Sequence, residues 1–309
     1  MQAPHRASVA GASPPGRPPT RLAPPAPALP VRCALALAAV VALVPPARGA
    51  GAQTDYYNTD AGRPLSIEDA YPVERRAIEL QAAPLRLERA LGGTYRWGIE
   101  PEVAVGILPR TQVEVGLPLA YVDRVGPAAR ERRSGVAGID VSMLHNLNAE
   151  TTLMPALAIS AGALLPAGPL GPDHAYGLVK GIATKTFPLL RVHVNGQAAF
   201  GPGLSLPTSG PGSGPVGGNT LELSRWLAGA AVDRPFPLQS LLIGAEVFAR
   251  APVVRGEAVE WNAGVGSRWQ ASPRWALDTG AGRHLTGDDR GWYFTAGGAY
   301  VVGLPWRRR

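Results

Sequence analysis

The sequence predicts an all-β chain folded as a transmembrane, antiparallel, up-and-down β-barrel of about twelve strands. Three observations predict it. Apolar residues recur with period two rather than with the 3.6-residue period of a helix; short turns and long loops alternate along the chain; and a secretory leader precedes both.

Period two is clearest over 259–270. Val259, Trp261, Ala263, Val265 and Trp269 share one face, while Glu260, Asn262, Gly264, Gly266, Arg268 and Gln270 share the other. Successive side chains of a strand point to opposite faces, so this stretch has one apolar face and one polar or small face. Over 112–121, Val113, Val115, Leu117, Leu119 and Tyr121 oppose Gln112, Glu114 and Gly116 in the same way. Over 95–107, Trp97, Ile99, Val103, Val105 and Ile107 oppose Glu100, Glu102 and Gly106. Arg191, His193, Asn195 and Gln197 lie opposite Val192, Val194, Ala198 and Phe200.

Strands of this kind are expected near 76–90, 94–107, 112–122, 136–148, 152–164, 175–187, 189–200, 220–233, 239–250, 258–270, 274–284 and 291–303. Short turns separate them at 108–111, 148–151, 187–188, 234–237 and 271–274, and long Gly-, Pro- or charge-rich loops at 123–135, 165–174, 201–219, 251–257 and 285–290. An even number of strands with short turns at one end and long loops at the other describes an outer-membrane barrel. Aromatic residues near the strand ends, Trp97, Tyr121, Trp226, Trp261, Trp269, Trp275, Trp292 and Tyr300, fit two interfacial girdles. Two segments fit less simply. Residues 74–91 carry an alternative short amphipathic helix, which Pro84 opposes. Lys180 and Lys185 fall on opposite faces of one strand, so one must snorkel at an interface or a bulge must reset the register.

The leader occupies residues 1–52. A basic, acid-free stretch ends at Arg32, twelve apolar residues follow over 33–44, Pro45 and Pro46 break any helix, and Ala50-Gly51-Ala52 offers small residues before Gln53. The apolar run is too short for a helical span, which needs roughly 20 residues, and no later stretch is long enough either. The leader holds five of the 30 basic residues and none of the 23 acidic ones, leaving 25 against 23. Its removal therefore takes away the basic balance that would suggest nucleic acid. It also removes Cys33, the one cysteine, so no disulfide framework is expected. The expected organisation is signal peptide 1–52, a periplasmic N-terminal segment 53–74, barrel 75–304 and a basic C-terminal tail 305–309.

Several stretches resemble the outer-membrane family named for the meta-pathway of phenol degradation. They are Asn58-Thr-Asp-Ala-Gly-Arg-Pro64, residues 98–118, Gly138-Ile-Asp140, Leu164-Leu-Pro-Ala-Gly168 and residues 272–282. Each is a strand–turn–strand pattern and none is a catalytic signature. The resemblance implies a barrel and the uptake of hydrophobic or aromatic compounds, and transfers no binding residue. Barrels of this class usually end on an aromatic residue that the assembly machinery reads. Here Tyr300, Val302 and Leu304 keep the alternation but Pro305, Trp306 and three arginines follow, so Trp306 or an internal signal must serve.

Chemistry-bearing constellations are sparse. His145, His174, His193 and His284 have no metal-ligand spacing, and no cofactor is expected. Ser142 and His145 stand three apart on a strand and so face opposite ways. The glycine-rich stretch 201–218 lacks the strand-to-helix context of a phosphate loop. The better lead is a set of charges expected to line the lumen: Glu100, Glu102, Glu114, Asp140, Glu222, Glu246, Glu260 and Asp278, with Arg191, Arg225 and Arg268 as counter-charges and His193 beside them. Small inward residues at Ala156, Ala158, Ser160, Gly162, Gly264 and Gly266 leave room between them. Three functions are therefore expected to compete: a passive channel for small hydrophobic or aromatic solutes, a structural or adhesive barrel with a filled lumen, and a membrane-embedded lipid-modifying enzyme. The last needs a Ser–His or Asp–His pair on the outward rim. Lipid and the barrel-assembly machinery are the expected partners. The leader makes the first prediction: the chain recovered from an outer-membrane fraction begins at Gln53 by N-terminal sequencing or intact mass.

Overall fold

The computed structural model describes residues 58–60, 62–90, 95–125, 130–202, 223–253, 258–286 and 290–303. Leader 1–52, tail 305–309 with Trp306, and Glu222 lie outside them. The described residues form fourteen strand segments: β1 (Ala77–Ala90), β2 (Tyr95–Leu108), β3 (Thr111–Gly116), β4 (Leu119–Val125), β5 (Arg130–Val136), β6 (Ile139–Asn146), β7 (Ala156–Leu165), β8 (Tyr176–Thr186), β9 (Arg191–Phe200), β10 (Ser224–Phe236), β11 (Leu241–Pro252), β12 (Glu260–Ser272), β13 (Trp275–His284) and β14 (Gly291–Gly303).

β2 pairs with β3 through its second half and with β4 through its first half. β3 and β4 are thus two parts of one barrel strand, broken at Leu117 and Pro118. β5 and β6 form another, because β4 pairs with β5 and β3 with β6. Every other strand pairs antiparallel with its sequence neighbours, and β1 pairs with both β14 and β2. The result is a closed antiparallel barrel of twelve strands.

Each irregularity has a local cause. Pro118 has no N–H for the ladder, and the chain recovers at Ala137, whose N–H donates to the Pro118 carbonyl at 2.8 Å. Gly138 takes φ 125°, a conformation that a side chain would strain. The helix alternative over 74–91 loses to β1, in which a register shift between Ala82 and Leu85 accommodates Pro84. Lys185 snorkels: its ammonium reaches the Thr151 carbonyl at 2.6 Å and the Glu150 carboxylate at 3.2 Å, while β8 and β9 keep one continuous register.

One expected loop, 123–135, is corrected, whereas 165–174 is a loop from Pro166 onward. Within 123–135, β4 runs to Val125 and pairs antiparallel with β5 from Arg130, and Asp123 pairs with Arg130 and Arg132 across the strands, which makes charged residues compatible with a strand pair. Within 165–174, Leu170 turns inward to 2% exposure against Ala120 and Ala137, and its N–H donates to the Val136 carbonyl.

The outward face is apolar. Met143, Ile159, Val194, Val232, Val247, Val265 and Phe294 are large and exposed around the wall. At the long-loop end Tyr95, Trp97, Trp226, Trp261 and Trp292 form one girdle, and Trp97 stacks on Tyr121 at 5.5 Å. At the short-turn end Trp269 and Trp275 belong to the other, with Trp275 and Tyr300 ring centroids 4.7 Å apart. Trp261 and Trp269 lie on one face of β12. Eight residues at about 3.3 Å each, tilted about 40°, separate them by roughly 20 Å along the barrel axis, close to the apolar band of outer-membrane barrels. Val265 sits midway, so Val265→Arg should cost about 2–4 kcal/mol in urea unfolding from lipid vesicles; Val265→Leu should be near neutral.

Candidate functional site

The alternation that turns apolar residues outward turns the charges inward, so the candidate site is the lumen. Its filling comes largely from one segment. Residues 58–60 and 62–73, part of the stretch expected on the periplasmic side, line the inner wall from its short-turn end, at Asn58 and Val73, to beyond the middle of the strands, at Ile67. Thr59 and Asp69 close the base of this loop: the Asp69 N–H donates to the Thr59 carbonyl at 3.1 Å, and the Thr59 N–H donates to Asp69 Oδ2 at 3.1 Å.

The loop is held by wall side chains that accept from or donate to its backbone. Glu246 Oε2 accepts the N–H groups of Ser66 at 2.6 Å and Ile67 at 3.0 Å. Asn195 makes a reciprocal pair with Glu68, accepting its N–H and donating to its carbonyl, both at 2.9 Å. Thr184 Oγ1 accepts the Ala70 N–H at 3.0 Å, Asn146 donates to the Ala70 carbonyl at 2.8 Å, and Gln112 accepts the Val73 N–H. A buried backbone group left unpaired is costly, so these side chains replace the ladder that an irregular segment lacks. Apolar contacts add to them. Leu65 and Ile67 pack with Leu227, Ala231 and Phe248, and Ala70 packs with Leu144, Ala156, Ala158 and Ile182. The room left by small residues is thus taken by the chain itself: a Cβ at Gly266 would lie 2.8 Å from Pro64, and one at Gly244 2.8 Å from Leu65.

Charges cluster at three places. Arg63, 1% exposed, reaches Glu79 at 3.1 Å, Asp278 at 3.3 Å and Asp60, while Arg268 reaches Asp60 at 3.2 Å. Arg191 makes a two-pronged pair with Asp233 at 2.9 and 2.7 Å and lies 3.6 Å from the loop's Asp69. His193 joins it, with Nε2 2.9 Å from Asp233 and Nδ1 3.0 Å from Thr184 Oγ1. Towards the long-loop end Arg86 pairs with Glu88 at 2.6 Å and Arg250 with Glu260 at 2.6 Å, and Tyr293 donates to Glu246 at 3.2 Å.

The sequence-derived lumen set divides accordingly. Arg191, His193, Glu246, Glu260, Arg268 and Asp278 belong to these clusters. Glu102, Glu114 and Asp140 meet Asp60, Glu68 and Lys180 around a small cavity of about 50 Å³, where Lys180 pairs with Glu68 at 2.7 Å. Glu100 is buried, 3.0 Å from where a Cβ on Gly116 would sit. Arg225 is a correction: a register shift between Ser224 and Trp226 breaks the alternation, and its exposed side chain donates to the Pro252 carbonyl at 2.9 Å. The sequence reading missed Arg63, Asp69, Glu79, Glu88 and Asp233. Glu79 and Glu88 stand nine apart, so unbroken alternation would put them on opposite faces; the register shift between Ala82 and Leu85 turns both inward, whereas Arg63 belongs to no periodic element.

Below the loop, at the short-turn end, lies a cavity of about 640 Å³ lined by Asn58, Tyr71, Pro72, Val73, Leu190, Arg191, Arg234, Pro235 and Val301, among others. That is the size of a small-molecule site, whereas the 50 Å³ cavity admits water and not an aromatic solute. Among the described residues, no group of three His, Cys, Asp or Glu is arranged to hold a metal ion.

No family model matches the chain, and no curated protein matches it in sequence. Among solved structures it is similar to an outer membrane channel from Pseudomonas putida F1, with a TM-score of 0.52, 14% identity, and cover of 76% of this chain and 98% of that one. It is more distantly similar to the KdgM porin, with a TM-score of 0.42, 12% identity and cover of 72% and 98%. It is also distantly similar to the outer membrane phospholipase A of Escherichia coli, with a TM-score of 0.38, 8% identity and cover of 78% and 94%. The first likeness shows a shared barrel fold of the outer-membrane kind; the other two carry no argument.

Arg63→Ala should strand Asp60, Glu79 and Asp278 around a lost cation. Breaking a buried ion cluster from one side costs about 3–5 kcal/mol, and the loss should appear locally. Amide hydrogens of residues 66–73 should exchange faster by the corresponding factor, while those of β10–β13 keep their protection.

Proposed function

We propose that this chain is an outer-membrane channel for small hydrophobic or aromatic compounds, passive in mechanism and closed in this conformation by its own N-terminal segment. The observation that carries the reading is how the lumen is filled. The wall offers glycines and short side chains where the loop runs, at Gly244, Gly266 and Gly280, and a separable segment occupies the width they leave. Side chains of the wall fill a barrel of about eight strands, and a wider one leaves a lumen that something else must occupy. The mainly apolar vestibule of about 640 Å³ beneath the loop supports passage of a small hydrophobic solute, as does the resemblance of residues 98–118 and 272–282 to a family associated with such uptake. Export by the leader 1–52 and insertion by the assembly machinery belong to the same proposal.

An enzymatic reading finds less support. His193 and Asp233 do make an Asp–His pair, but both are buried inside the short-turn half of the barrel, at 0% and 2% exposure, and not on the outward rim. A second reading, a structural barrel without transport, draws on the ion pairs that tie the loop to the wall, Arg63 with Glu79 and Asp278 and Lys180 with Glu68.

Deleting residues 53–73 separates the two. In planar bilayers and solute-loaded liposomes the truncated barrel should conduct and pass aromatic solutes at least tenfold faster than the intact chain. A truncated barrel that still migrates heat-modifiably yet stays impermeable would establish the structural reading. Ala70→Cys with Ala156→Cys, two positions of one buried cluster, should hold the intact channel shut until a reductant is added.

A further inference from the structure

Four adjacent strands carry a row of side chains that the lumen does not use. Near the long-loop end, Arg283 of β13 is the cross-strand partner of Trp292 of β14, Trp292 is the partner of Arg89 of β1, and Arg89 is the partner of Tyr95 of β2. All four point outward. Trp292 is 42% and Tyr95 41% exposed, and both arginines are exposed. Their inward neighbours Glu88 and His284 are buried on the opposite face.

Among the described residues, no carboxylate pairs with the charges in this row. No described acid forms an ion pair with Arg89 or Arg283; Arg89 instead lies over the Tyr95 ring, 5.5 Å from its centroid. Arg290, also exposed, stands at the head of β14 beside them. The contrast with the interior is sharp, since Arg63, Arg86, Arg191, Arg250 and Arg268 each have a carboxylate partner. Two strand spacings place the Arg89 and Arg283 backbones roughly 10 Å apart, with an indole between them. Guanidinium groups recognise phosphate through paired N–H donors, and aromatic rings hold the boundary between acyl chain and headgroup.

We propose that the row Arg283–Trp292–Arg89–Tyr95, with Arg290, is a docking site for the phosphorylated headgroup of an outer-leaflet glycolipid. The site commits to a glycolipid on three grounds: the row faces away from the lumen, it lies in the aromatic girdle at the long-loop end, and it presents two separated cations suited to a headgroup carrying more than one phosphate. The inference rests on the barrel being an outer-membrane protein, which heat-modifiable migration and insertion into liposomes test independently of these arginines.

The experiment uses the whole mature chain in detergent. Native mass spectrometry and thermal melting are recorded with bis-phosphorylated lipid A, the same lipid dephosphorylated, phosphatidylglycerol and inorganic phosphate. The intact protein should retain the bis-phosphorylated glycolipid at least tenfold more tightly than the dephosphorylated one. Arg89→Ala with Arg283→Ala should abolish that preference while leaving heat-modifiable migration and conductance unchanged. Arg89→Lys with Arg283→Lys should restore part of it, and Arg75→Ala at the opposite rim should have no effect. Equal retention of the dephosphorylated lipid, equal retention of phosphatidylglycerol, or undiminished binding by the double-alanine variant would each overturn the proposal.

Discussion

Closure of the sheet through β1 is the constraint on which the other features depend. Lipid offers no hydrogen-bond partner to a backbone edge, so an apolar sheet of this size is tenable in a bilayer only if its first and last strands meet. β1 meets β14 along one edge and β2 along the other, and it does so despite Pro84, because the register shift at Ala82 to Leu85 puts the missing donor where the ladder is already interrupted. The chain that enters β1 is the same chain that fills the lumen. Val73 packs with Ala77, Ala104 and Val301, the Arg76 N–H donates to the Gly106 carbonyl at 2.7 Å, and the loop is thereby fixed to the strand that closes the wall.

Polarity inside the barrel follows from the same alternation. Period two leaves a charged lumen, and a charged lumen deprived of bulk water must satisfy itself. The wall does so with pairs such as Arg250–Glu260, but Asp278 and Glu79 complete their environment with Arg63, and Glu246 and Asn195 with loop backbone. Loop and wall are therefore complementary as polymer and template. Removing the loop would exchange those contacts for solvent, a far smaller loss than leaving the same groups unpaired in a dry core.

The barrel was legible in the sequence because its signal is carried by every strand. The 258–270 segment shows this: each alternate residue has one environment, and the structure repeats it residue by residue. The breaks at Leu117–Pro118 and Ala137–Gly138 were harder, because one proline and one glycine look alike whether they end a strand or kink it. Loop 123–135 was misread for a related reason, since arginines on a two-stranded projection resemble arginines on a coil until Asp123 is seen between them. The inner loop was beyond the sequence. Residues 58–73 have no period, and their position depends on long-range partners such as Glu246 and Asp278, which a one-dimensional reading does not bring together.

The junction of Thr59 and Asp69 fixes the topology of the filling segment. Asn58 and Val73 line the same vestibule, so both ends of the described loop lie at one mouth of the barrel. The described loop adds no strand to the ladder of the wall, its one bridge joining Asp60 to Arg63 within the loop itself. Displacing the loop therefore breaks local hydrogen bonds and ion pairs, such as those of Glu246 and Arg63, and leaves every strand of the wall paired.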